Sequence, residues 1–152
     1  MEIKKILCPV DFSENSKKAL EYAVFVATAH QSEIVLLHVI EGPKGLDQHQ
    51  ILLITPEEIA HNLEKSVMEE LNGLADEIGE KVAIEKVVRQ GKAFVEIIRE
   101  AREKDVDLIV IGSHGKTGIP HMLLGSVVER VVRKSSCPVL VVRNKDIQFD
   151  MP

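Results

Sequence analysis

The residues most suited to chemistry lie in one stretch, Gly112-Ser113-His114-Gly115-Lys116-Thr117-Gly118-Ile119-Pro120-His121-Met122-Leu123-Leu124-Gly125-Ser126, whose spacing is G-x2-G-x9-G-S. Glycine lets a backbone approach a ligand closely and adopt positive φ, and a helix start offers unpaired N–H groups to an anion. Gly125-Ser126 stands before 127–134, which alternate as a helix, so its N–H groups and hydroxyl suit a phosphate. His114, Lys116 and His121 are candidates to add positive charge. The same residues also have a purely structural reading, because Ser126-Val127-Val128-Glu129 fits a capping box. Gly115-Lys116-Thr117 resembles the end of a Walker A loop, but that pattern needs glycine at Val110 and a place after the first strand. G-x-G-x-x-G is absent as well. A phosphate cradle of another geometry is indicated.

Such a cradle needs a scaffold, and the chain alternates short apolar, β-branched runs with segments of helical period. The runs are 3–10, 33–39, 81–89, 107–111 and 139–142, several of them apolar throughout, as strands covered on both faces tend to be. Between the first two, Leu20, Ala23, Val24 and Ala27 recur at helical spacing, as do Phe94, Ile97, Ile98 and Ala101 later. Thr55-Pro56-Glu57-Glu58 announces a long helix: Thr55 caps, Pro56 suits the first position and Glu58 completes a capping box. Leu63, Val67, Leu71, Leu74, Ala75 and Ile78 carry it to Gly79. The irregular stretch 41–54 reads as a surface excursion. The pattern predicts a doubly wound α/β domain spanning 1–152, with five parallel strands in the order 3-2-1-4-5 and helices on both faces.

In such a sheet the ligand crevice lies at the carboxyl ends of the strands near the switch point. Three loops fall there: 9–13, 39–41 and the segment from Gly112. Asp11 could meet a phosphate-bound Mg²⁺, bond a ribose, or simply precede a helix cap at Ser13. His30, His38, His49 and His61 lack a metal-ligand spacing and receive no role.

Taken together, Ile6-Leu7-Cys8-Pro9-Val10-Asp11-Phe12-Ser13, His38-Val39, Asp107-Leu108-Ile109-Val110-Ile111-Gly112, the full glycine motif and Cys137-Pro138-Val139-Leu140-Val141-Val142 resemble the universal stress protein family in its ATP-binding branch. The resemblance spans nearly the whole chain. It implies a Rossmann-like, adenine nucleotide alpha hydrolase-like fold that binds ATP, with Mg²⁺ or Mn²⁺ held through the phosphates. Pro9, Val10 and Asp11 match the first binding segment, and Val39 matches the residue whose backbone faces adenine. Ile111, Gly112, His114 and Gly115 match the loop entrance, and Gly125, Ser126, Val127 and Val128 the phosphate-cradling helix start. It further implies a homodimer through the last strand, where Val139, Leu140, Val141 and Val142 would otherwise leave an apolar edge uncovered.

Bulk properties set outer limits. A net charge of −5 gives no electrostatic reason to expect nucleic acid as a partner. No stretch approaches the roughly 18 to 20 apolar residues of a membrane span, and the amino terminus has too short an apolar run for a signal peptide. Cys8 and Cys137 form no CxxC pair, are read as buried thiols, and place the chain in a reducing cytoplasm. No residue stands out as the base that ATP hydrolysis requires. A nucleotide-dependent switch or sensor in stress response, with an unidentified protein partner, is therefore the leading expectation. A slow Mg-dependent ATPase or nucleotidyl-transfer enzyme is the alternative. A phospho-receiver would need an acidic residue at the end of the third strand, which instead reads Val88-Arg89-Gln90.

Overall fold

In the computed structural model, which describes residues 2–42, 55–116 and 124–144, a parallel sheet is built from β1 (Lys5–Pro9), β2 (Glu33–Ile40), β3 (Ile84–Gln90), β4 (Leu108–Gly112) and β5 (Val139–Val142). The strands lie in the order β3-β2-β1-β4-β5, as the sequence predicts. Four helices join them: α1 (Glu14–His30), α2 (Pro56–Ile78), α3 (Ala93–Glu103) and α4 (Ser126–Lys134). Most of the excursion at 41–54, together with His49, Thr117, Gly118 and His121, lies outside the described residues.

The apolar strands divide their side chains between two cores. Ile6, Cys8, Ile34, Leu36 and Val110 point to one face, where Ala19, Leu20 and Ala23 of α1 and Leu71 and Leu74 of α2 meet them. Leu7, Val35, Leu37, Ile109 and Ile111 point to the other, against Ile97 and Ala101 of α3 and Val128 and Val131 of α4. Successive strand side chains face opposite ways, so a strand covered on both sides is apolar at every position. That is why β1, β2 and β4 carry so few polar residues.

The helix ends largely follow their signals. Ser13 caps α1 by accepting from the Ser16 N–H, and Thr55 and Glu58 form both halves of the expected capping box on α2, which ends at Gly79. Residues 56–66 of α2 are exposed except for half-buried Ala60, so Leu63 lies on the helix but outside the core. Two expectations fail. At α4 the N-cap is Gly125, not Ser126, and no side chain caps the helix. Ser126 is already helical, which takes its hydroxyl out of the capping position and removes the capping box. Cys137 is half-buried rather than buried, while Cys8 is fully enclosed and its thiol is pushed up to about 12 by burial.

Candidate functional site

The sheet changes winding direction between β1 and β4, and a cleft opens there at the carboxyl ends of the strands. Its cavity of about 90 Å³ is bounded by Pro9, Val10 and Asp11 after β1, Leu37 and Val39 of β2, and Ile111, Gly112, His114 and Gly115 after β4. Three helices each add a residue from their first turn: Ser16 of α1, Ala93 of α3 and Val128 of α4. Ile97 completes the wall. Nine of the residues expected at the site therefore line one cleft: Pro9, Val10, Asp11, Val39, Ile111, Gly112, His114, Gly115 and Val128. Gly125, Ser126 and Val127 are not in the wall. They form the start of α4 immediately beside it, held by a hydrogen bond from the Gly125 N–H to the Ser113 carbonyl at 2.8 Å.

Gly112 and Gly115 are required for space rather than for backbone angle. The described glycines with positive φ are Gly79 and Gly91, both outside the motif, and Gly125 has φ −68. A β-carbon on Gly112 would stand 2.8 Å from the Asn15 carbonyl oxygen, so this position lets β4 run against the first turn of α1. On Gly115 it would meet Asp11 Oδ2 at 2.6 Å. On Gly125 it would find only ordinary contacts, the nearest being Ser113 O at 3.4 Å. Nothing in the described fold demands glycine at 125.

The three helix starts around the cleft differ in how their orphan N–H groups are met. Ser13 caps α1. At α3, Lys92 supplies no side-chain cap, but Glu41 reaches across from the end of β2 and its Oε1 accepts from the Ala93 N–H at 2.9 Å. Among the described residues, only α4 of these three has no side-chain cap at its start. Unmet N–H groups and the helix dipole favour an anion there. The cleft floor beside it is mostly apolar, through Leu37, Val39, Ile97, Ile111 and Val128. An apolar slot next to an anion-favouring helix start can take a molecule with a flat ring and a negatively charged tail.

Around the rim, Ser113 Oγ and His114 Nδ1 lie 3.0 Å apart and both residues are buried. Burial pulls the Asp11 carboxyl up, but hydrogen bonds from Ser13, Lys116 and Ser16 outweigh it and hold the group below its ordinary value. No three His, Cys, Asp or Glu side chains gather as a metal site among the described residues.

The Universal stress protein family model matches residues 2–143. The chain belongs to the universal stress protein family. Universal stress protein MJ0577 of Methanocaldococcus jannaschii is 36% identical over 156 residues, covering 94% of this chain and 96% of that one. The solved structure of MJ0577 superposes with a TM-score of 0.77 at 35% identity, covering 96% and 99% of the two chains. Two further solved members share the fold at lower identity. One is a universal stress protein in complex with cAMP, with a TM-score of 0.68, 23% identity and coverage of 94% and 98%. The other is from Archaeoglobus fulgidus in complex with dAMP, with a TM-score of 0.58, 22% identity and coverage of 93% and 98%.

Sequence reasoning missed several residues of this universal stress protein's cleft. Ile97 was read only as part of a helix face, and Ser16, Leu37 and Ala93 were not singled out at all. His38 was given no role, yet its Nδ1 lies 2.7 Å from the Val10 carbonyl oxygen and its ring stacks on Phe12. The dipeptide His38-Val39 at a strand end was the available signal. Neither Glu41 capping α3 nor Asp11 bonding Lys116 had one, because each joins segments far apart in the chain.

Proposed function

We propose that this cleft binds an adenine nucleotide, ATP by preference, and that the protein is a nucleotide-dependent regulatory switch or sensor in the stress response. The observation that carries the reading is the start of α4, which among the described residues has no side-chain cap and stands beside an apolar slot, while α1 and α3 are both capped. Adenine then lies against Val39 and the strand ends of β1 and β2, and the phosphates lie over Gly112, His114 and Gly115 toward Gly125, Ser126, Val127 and Val128. The cAMP and dAMP complexes of other family members support the nucleotide class. The donor set suits the polyphosphate better than it suits a metal, so Mg²⁺ or Mn²⁺ is carried by the phosphates.

A regulatory role fits better than turnover. Asp11 and Glu41, the carboxylates nearest the cleft, already accept hydrogen bonds from Ser13, Lys116 and Ala93, which leaves neither poised as a general base. We further place the chain in the cytoplasm, as one domain that dimerises through β5. Among the described residues no helix is long and apolar enough to cross a membrane.

Calorimetric titration of nucleotide-stripped protein with Mg-ATP tests the reading, run beside Gly125→Val. The first side-chain carbon at 125 has room in the fold, so lost binding in a variant that melts normally reports an obstructed phosphate position. Saturable binding by the wild type and its loss in the variant is the expected result. No saturable binding of Mg-ATP, AMP or cAMP by the wild type would sink it. Turnover well above contamination, lowered by Ser126→Ala, would favour the ATPase.

A further inference from the structure

Both oxygens of the Asp11 carboxylate accept hydrogen bonds from within the chain. Its Oδ1 accepts from the Ser13 N–H at 3.0 Å and from the Ser13 hydroxyl. Its Oδ2 accepts at 2.9 Å from the N–H of Lys116, a residue 105 positions away. Gly115 has no side chain at the place where that oxygen passes, for a β-carbon there would sit 2.6 Å from Oδ2. Lys116 is held a second time, with its ammonium 5.7 Å from the centroid of the Phe12 ring. Phe12 in turn stacks on His38, with ring centroids 4.7 Å apart.

The backbone between Asp11 and Ser13 is strained to allow this. Phe12 has φ 64, in the left-handed region that a bulky side chain occupies at a cost. Such outliers persist only where surrounding contacts fix them. Here the reversal at Phe12 brings the Ser13 N–H onto Asp11 Oδ1 and leaves Oδ2 to reach the other loop.

We propose that Asp11 is a positioning residue, whose carboxylate and the absent side chain of Gly115 form a matched clamp fixing the glycine loop to the start of α1 before any ligand arrives. On this account glycine is required at 115 by the protein's own carboxylate. Asp11 then acts on the cleft through Lys116. The clamp consists of contacts within the chain and does not rest on the nucleotide reading. Where that reading holds, the clamp pre-orders the loop beside the start of α4, so less ordering is left for binding to supply.

Amide hydrogen exchange on the unliganded full chain tests it. In Asp11→Ala both carboxylate oxygens are gone, so neither the bonds from Ser13 nor the bond from Lys116 can form. Protection of the Lys116 amide should fall by about tenfold or more, the loss of one hydrogen bond to a charged group, while α3 amides keep theirs. A double-mutant cycle gives the signature of a matched pair. Gly115→Ala should loosen the loop in the wild-type background and add little in Asp11→Ala, where the oxygen it would strike is gone. Unchanged Lys116 protection in Asp11→Ala, or additive effects in the cycle, would overturn the clamp. Should the variants fold poorly, the wild type decides alone. Its Lys116 amide proton resonance must titrate with the Asp11 carboxyl, and a resonance insensitive to that titration refutes the bond.

Discussion

At the scale of single residues, glycine and aspartate in this family motif answer to each other. Gly112 gives way to the Asn15 carbonyl and Gly115 to the Asp11 carboxylate, so two of the three described motif glycines are explained by packing within the chain. Gly125 is not, which is why substitution there is the informative one for a ligand. Hydrogen bonds hold the Asp11 carboxyl below its ordinary value despite partial burial. A carboxyl lowered by folding contributes stability fully above its unfolded value, about 3.9, and loses that contribution as pH falls through the lower folded value. Lys116 protection, corrected for intrinsic exchange, should therefore stay level from neutral pH to about 4.5 and fall only in stronger acid. His114 lines the same cleft, and the same measurement on a His114→Gln variant should give the same profile.

Among the elements, α3 and the edge strand β3 are joined by charge where the other layers are joined by apolar packing. Arg89 of β3 bonds Glu100 and Glu103 of α3, and Lys104 bonds Glu85. Glu100 is fully buried, and its Oε1 has no hydrogen-bond partner among the described residues. Removing one partner of a buried pair costs more than the pair contributes, because the remaining charge stays in a poor solvent. Arg89→Met should lower stability by up to about 3 kcal/mol, reduced from the fully buried case because Arg89 is a third exposed. Adding Glu100→Gln should restore much of it. Urea denaturation of the two variants and the wild type measures both steps, and a double variant no more stable than Arg89→Met would show that the charge is not the cause.

Across the whole molecule, the two edges of the sheet differ in kind. β3 carries Glu85, Lys86 and Arg89, and charges of this sort discourage strand addition. β5 is VLVV, with Leu140 37% exposed on the α1 side and Val139 and Val141 half-buried on the other. Self-association through β5 is the arrangement that would cover it. Sedimentation should find a dimer for the wild type, and Leu140→Lys should shift the population toward monomer without lowering helix content. A monomeric wild type at tens of micromolar would remove the dimer from this account.

The sequence by itself determined the strand order, the helices and the segments that meet at the cleft. Apolar runs covered on both faces, capping residues and right-handed crossovers are local or topological rules, and each left its mark at fixed spacing. It also carried the family, since G-x2-G-x9-G-S is long enough to be specific. Tertiary structure decided the roles within the motif. Ser126 moved from cap to first helical residue, with the Gly125 N–H bonded to the Ser113 carbonyl. Asp11 became a partner of Lys116, and Glu41 became the cap of α3. Those contacts join residues 52 and 105 positions apart, and no period or local propensity records them, because they exist only once the strands have brought the loops to one end of the sheet.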